Sequence, residues 1–180
     1  MTTCIAVQLD NGVIIVADSR ITADGKIYTD PRMTKIIQKG NYIIAGAGDL
    51  RAIQVALHVW NPPTPTVKDK ADLYAFVIAK VVPSLRQCLD DNKIALDSDK
   101  EGKESPMDLA LIVAICGKLF EIDGQFTVTV QAHGIYAIGS GSDFATGALR
   151  AGADTQRAME IAEENDNGTS APFKTFEQYI

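Results

Sequence analysis

Met1-Thr2-Thr3-Cys4-Ile5-Ala6-Val7-Gln8-Leu9, then Asp10-Asn11-Gly12, then Val13-Ile14-Ile15-Val16-Ala17-Asp18-Ser19-Arg20, is the stretch that decides the fold. Thr2 to Leu9 alternates, with Ile5, Val7 and Leu9 on one face of a strand. Asp10-Asn11-Gly12 supplies residues that accept the backbone of a tight hairpin turn. Val13 to Ala17 is a nearly continuous apolar run and fits a strand covered on both faces. Beyond it, Asp18 to Thr34 is polar, with turn formers at Asp24-Gly25 and Asp30-Pro31. A second hairpin follows, Lys35-Ile36-Ile37-Gln38 and Tyr42-Ile43-Ile44-Ala45 about a turn at Gly40-Asn41.

The period then changes. Leu50, Ile53, Val55, Leu57 and Trp60 fit an amphipathic helix with Asp49 as its N-cap, and Asn61-Pro62-Pro63-Thr64-Pro65 ends it. A second helix is predicted over about 68–90, with Leu73, Phe76, Val77, Lys80, Val81 and Leu85 on the buried face and a kink at Pro83. Residues 90–106 read as a solvated loop. Strands return at Leu109–Cys116, Leu119–Ile122 and Phe126–Gln131, the last two turned by Asp123-Gly124. Ile135–Ile138 leads through Gly139-Ser140-Gly141 into a helix over about 143–153, then another over about 155–164. Phe173–Tyr179 fits a final strand. This order has no regular βαβ alternation. It predicts α+β architecture, two stacked antiparallel sheets covered by helices, in one domain over residues 1–180.

Composition narrows the function classes. The chain has 180 residues, 46% hydrophobic and 22% charged, which are ordinary globular values. Its formal net charge of −6, with no basic run, argues against a nucleic-acid partner. No apolar run approaches a membrane span, and the start lacks a basic and apolar leader, so a cytoplasmic location is expected. Three cysteines, Cys4, Cys88 and Cys116, read as reduced. Only two histidines, His58 and His133, leave little for a triad or a zinc site, so chemistry without metal or organic cofactor is expected.

A threonine at position 2 supplies chemistry that needs no histidine. Methionine before a small residue is normally trimmed, which would expose Thr2. Its hydroxyl and α-amine then share one residue, and an amine of pKa about 7.7–8.0 can take the hydroxyl proton. Asp18, after the second strand, can hold Lys35 charged, and Lys35 can lower the pKa of both groups on Thr2. Ala45-Gly46-Ala47-Gly48 ends a strand before a helix, where a backbone N–H can serve an oxyanion. Taken singly, each piece has a bland reading: a surface turn, a strand-edge lysine, close packing.

Together and in this order they resemble the proteasome β-subunit family of N-terminal nucleophile hydrolases, including its HslV-like branch, with some similarity to Anbu. The resemblance implies a four-layer αββα sandwich. It implies that Thr2 is the nucleophile, that Asp18 and Lys35 are its charged partners, and that Gly48, or Asp49 one residue on, is the oxyanion donor. Ser140 of the Gly-Ser-Gly turn is implied to support the threonine amine. Asp166 and Thr169 match a later aspartate and serine of that network, with Asn165 competing for the aspartate's place. Ala47 is placed to line a roomy substrate pocket. The implied activity is a threonine endopeptidase acting on peptide or unfolded protein. The implied assembly is a homo-oligomeric ring or double ring, with an ATP-dependent unfoldase as partner in the HslV branch. The alternatives from other classes are a catalytically silent structural ring protein and an amidase acting on a small amide. A nucleotide-binding module fits poorly, because no phosphate-binding loop is present.

Overall fold

The computed structural model describes residues 1–23, 26–28, 30, 32–94 and 107–180. The opening hairpin forms as expected. β1 (Thr3–Leu9) pairs antiparallel with β2 (Gly12–Ala17), Leu9 opposite Gly12. Two further antiparallel partners complete a four-stranded sheet in the order β10-β1-β2-β11, with β10 at Ile135–Gly139 and β11 at Lys174–Tyr179. β3 (Ile21–Ala23) and β4 (Lys26–Tyr28) form a small separate hairpin inside the stretch expected to be irregular. The predicted turns at Asp24-Gly25 and Asp30-Pro31 fall wholly or partly outside the described residues, as does most of the loop predicted over 90–106, whose first two residues instead end α3 (Val82–Asp91).

The second sheet has five strands in the order β5-β6-β7-β8-β9: Ile36–Lys39, Tyr42–Gly48, Leu109–Ile115, Lys118–Ile122 and Val128–Thr129. The last is much shorter than the predicted Phe126–Gln131. The Asp123 carboxylate accepts the N–H groups of Gln125 and Thr127, and Phe126 takes a positive φ of 63°. The turn therefore runs to residue 127 and consumes the start of the strand.

α1 (Leu50–Gln54) begins where expected, with the Asp49 carboxylate accepting the Ala52 N–H at 2.8 Å, and continues as a π-helical turn over Val55–Val59. The predicted second helix changes type along its length. A 3₁₀ turn at Asp69–Ala71 precedes α2 (Leu73–Phe76), a π-helical turn (Val77–Val81) and α3 (Val82–Asp91). The helical run is unbroken from Leu73 to Asp91, and its π-helical turn at Val77–Val81 lies directly before Pro83, which has no N–H to complete a helical bond there. Lys80 is not on the buried face. Its ammonium pairs with the Asp69 carboxylate in solvent at 2.8 Å. α4 (Ser142–Arg150) and α5 (Thr155–Asn165) complete the set.

Three apolar layers hold these elements together. Between the sheets lie Cys4, Ala6, Val13, Ile15, Ile36, Ile43, Ala45, Ala47, Ile112 and Tyr136. Outside the second sheet, Ile44, Leu111 and Val113 meet Ile53, Leu57, Trp60, Val77 and Leu85 from α1–α3 and their π-helical turns. Outside the first, Ile5 and Val16 meet Ala145, Leu149, Met159 and Ala162 from α4 and α5. Alternation along β1 assigns Cys4 and Ala6 to the inner layer and Ile5 and Val7 to the outer one. Each fully buried Ile or Leu contributes about 1.5–3 kcal/mol. The architecture is the αββα sandwich expected from the sequence.

Candidate active site

Strand register alone brings the site together at one end of the two sheets. Cys4 pairs with Ala17, so Asp18 stands at Thr3, accepting the Thr3 N–H at 2.8 Å and giving its own N–H to the Thr3 carbonyl at 3.0 Å. Thr3 also pairs with Gly139, which sets Ser140 beside Thr2. In the other sheet Ile36 pairs with Ala45, and the Gly46 N–H donates to the Lys35 carbonyl at 2.9 Å. Lys35 then reaches across from one sheet to the other. Its ammonium lies 2.7 and 2.9 Å from the two oxygens of Asp18 and 3.0 Å from the Met1 carbonyl.

Among the described residues, the buried polar and charged side chains are Thr2, Thr3, Asp18, Lys35 and Thr169. All five belong to this cluster, and among the described residues no buried side-chain nitrogen or oxygen lacks a partner. Burying a charge this deeply is unfavourable unless it is paired and hydrogen-bonded. Burial pushes the Asp18 carboxyl up from its ordinary value, while the Lys35 ammonium and the N–H groups of Thr3 and Arg20 pull it back.

A second group of bonds lies on the other side of Thr2. The Thr2 N–H donates to Ser140 Oγ at 3.3 Å, and Ser140 Oγ donates to Asp166 Oδ2 at 2.8 Å. Thr169 Oγ1 donates to the same carboxylate oxygen at 2.6 Å and meets Thr3 Oγ1. Burial alone would raise the Asp166 carboxyl. The hydroxyls of Thr169 and Ser140 and the Gly168 N–H outweigh it and hold the group below its ordinary value. Asn165 takes no part, since its amide turns back to the Ile161 carbonyl of its own helix. Gly141 makes room for the gathering. A Cβ there would stand 2.2 Å from Thr3 Oγ1 and 2.9 Å from Thr169 Oγ1.

Gly48 faces the cleft, which is lined also by Met1, Thr2, Ile21, Thr22, Thr34, Lys35, Leu50 and Ile53. The Gly46 N–H points toward β5, and alternation turns the Gly48 N–H to the same edge, where β5 has ended. Asp49 is occupied elsewhere: its N–H goes to the Asp108 carbonyl at 2.6 Å and its side chain caps α1. Gly48 adopts φ +114°, and a Cβ would lie 2.2 Å from the Asp108 carbonyl oxygen, so only glycine fits. With Met1 in place the cleft has a volume of about 40 Å³. The expectation that Ala47 lines a roomy pocket is corrected. Ala47 points into the layer between the sheets, because strand alternation assigns odd-numbered β6 residues there.

Of the residues singled out in the sequence, Thr2, Lys35 and Gly48 line this cleft and Asp18, Ser140, Asp166 and Thr169 join them through hydrogen bonds, whereas Ala47, Asp49 and Asn165 turn elsewhere. Thr3 was not foreseen. It reads as an ordinary strand residue, and its neighbour Thr169 is 166 positions away. The only local signal is a second threonine beside the first.

The layers and register define a class, the αββα fold of the proteasome subunits and HslV. The family model described as proteasome subunit matches residues 1–55. Solved structures similar along the whole chain include the BPH protein of Thiobacillus denitrificans in complex with epoxomicin, at 20% identity and TM-score 0.75, covering 99% of this chain and 98% of that one. HslV from Trypanosoma brucei matches at 22% identity and TM-score 0.64, covering 99% and 100%. Anbu from Yersinia bercovieri matches at 17% identity and TM-score 0.66, covering 99% and 81%. No curated protein matches. The resemblance read from the sequence, to the proteasome subunits with HslV and Anbu among them, is borne out.

Proposed function

We propose that the chain is a threonine endopeptidase whose nucleophile is Thr2, exposed by removal of Met1. The observation that carries this reading is the buried Asp18–Lys35 pair, joined from one sheet to the other, with Lys35 on the cleft that Thr2 lines and Asp18 on the N–H of the next residue. A fold gains little from such a pair for stability alone.

Thr2 Oγ attacks the carbonyl carbon of a substrate peptide bond while its proton passes to the neutral α-amine, directly or through one water. Lys35, held charged by Asp18, lowers the pKa of both groups. The Gly48 N–H stabilises the oxyanion of the tetrahedral intermediate. The carbon–nitrogen bond then breaks, the leaving amine takes the proton, and an ester remains on Thr2. The freed α-amine, oriented by Ser140 and Asp166, draws a proton from water. The water attacks the ester and regenerates the hydroxyl.

The test is intact mass before and after incubation with a peptide epoxyketone, which needs both the hydroxyl and the free amine of a terminal threonine. The T. denitrificans BPH structure with epoxomicin makes this class the natural probe. The expected result is loss of the methionine mass followed by one adduct per chain. A chain that keeps Met1, or a trimmed chain that gains no adduct, overturns the reading in favour of a silent structural protein.

The subunit is further proposed to act within a homo-oligomeric ring or double ring; the helical assembly of one Anbu relative supports self-association of the fold. Enclosure would keep an otherwise open protease from acting at random. Light scattering is expected to give a multiple of the 19.4 kDa chain mass, and a monomer value removes this proposal. An ATP-dependent unfoldase partner and an intracellular location belong to the same proposal. Among the described residues no helix is long and apolar enough to cross a membrane.

A further inference from the structure

We propose, on the footing of the reading above, that Thr3 is a positioning residue whose hydroxyl joins the two halves of the Thr2 site. Its side chain is fully buried, and its two polar groups point into different halves. The backbone N–H goes to Asp18 Oδ1 at 2.8 Å, and so to Lys35. The hydroxyl meets Thr169 Oγ1. The Thr169 proton is already committed to Asp166 Oδ2, so in that contact the Thr3 hydroxyl donates. Asp166 Oδ2 also receives Ser140 Oγ, which in turn accepts the Thr2 N–H. The path Lys35, Asp18, Thr3, Thr169, Asp166, Ser140 therefore returns to Thr2, the residue covalently next to Thr3.

Geometry explains why the link matters. Thr169 and Asp166 sit on a turn that follows α5, closed by the Thr169 N–H on the Asp166 carbonyl at 3.1 Å. Thr2 directly precedes β1. The Thr3 hydroxyl fastens that turn to β1 within one residue of the nucleophile. Ser19, Arg20 and Asp18 also bond this turn at Ser170 and Asn167, but the Thr3 hydroxyl is the link that reaches the Thr169–Asp166 pair itself; losing it loosens the Asp166 carboxylate against the Thr2 amine, and a displacement of about 1 Å at a reacting group is enough for a rate loss on the order of 100-fold. Gly141 keeps the space open, since its Cβ would collide with this same hydroxyl. A buried hydroxyl placed only to fill volume would be poorer than the isosteric valine, because it must be hydrogen-bonded to be tolerated.

The test uses the Met1-processed full chain, assayed for peptide hydrolysis and epoxyketone adduct formation. Thr3→Val keeps the β-branched shape and the N–H to Asp18 but removes the hydroxyl. Thr3→Ser keeps the hydroxyl. The expected result for Thr3→Val is kcat lower by about 10- to 100-fold with KM within about twofold, and for Thr3→Ser recovery to within about threefold of the parent. Where Thr3→Val does not fold, Thr3→Ala removes the same hydroxyl while leaving the Thr169–Asp166 bond in place, and is judged by the same split. Parent-like kcat in a folded valine or alanine variant, a change in KM alone, or equal losses in that variant and the serine variant overturn the proposal. A parent chain that takes no adduct overturns the peptidase reading first, and this inference with it.

Discussion

Thr2→Ala is expected to lower peptide hydrolysis by more than about 1,000-fold and to abolish the epoxyketone adduct, while thermal stability stays within a few degrees of the parent. The variant isolates the hydroxyl. Alanine is also a small residue after methionine, so Met1 is still trimmed and the terminal amine remains. The Thr2 backbone keeps its place just before β1, because the Thr3 pairings with Gly139 and Asp18 do not involve the Thr2 side chain. What disappears is the attacking oxygen alone. Amine, lysine, carboxylates and oxyanion donor all persist, and none of them supplies a nucleophile at this position. Enzyme assay and differential scanning on the same preparation decide the matter. Full activity in a folded Thr2→Ala chain removes the threonine mechanism outright. Thr2→Ser restores an oxygen and is expected to recover part of the turnover.

The parts of this site legible in the sequence are those fixed by local pattern. Asp18 follows a strand whose apolar run is unmistakable, and Lys35 directly precedes another, so their placement at strand ends follows from period and turn chemistry. Gly48 could be read only to within one residue. The choice over Asp49 depends on the Asp108 carbonyl, 59 positions on, which takes the Asp49 N–H. Thr3 was hidden for the same physical reason. The meaning of its hydroxyl lies in a contact with Thr169 that no window of neighbouring residues contains. Elsewhere the misreadings came from side chains overriding periodicity. Asp123 recruits two backbone N–H groups into a turn and shortens β9. Lys80 occupies a helical position that the period assigns to the core, yet its exposed pairing with Asp69 places it in solvent. The β3–β4 hairpin has strands of only three residues in a polar stretch, too short for alternation to register.

Lys35→Met is expected to destabilise the protein by about 3–5 kcal/mol at neutral pH, because it leaves the Asp18 carboxylate buried without its cation. In a chain of this length that is a fall in Tm on the order of 10 °C. The loss carries a pH signature. Burial raises the folded-state pKa of Asp18 and Lys35 opposes the rise, so removing Lys35 raises it further. Above the unfolded value of about 3.9, the folded variant then holds more protons than the unfolded chain. Stability falls with rising pH wherever that is so. The deficit against the parent is therefore smaller at pH 5 than at pH 8, and thermal melts at the two values measure it. A deficit independent of pH would mean that Asp18 is not the group left stranded. The double variant Asp18→Asn with Lys35→Met separates stability from chemistry. With both charges gone, most of the stability is expected to return, since a buried pair replaced by neutral groups costs little. Peptide hydrolysis is not expected to return with it, because nothing then faces Thr2 to lower the pKa of its hydroxyl and amine. A stable double variant with parent-like turnover would show that the ion pair serves the fold and not the reaction.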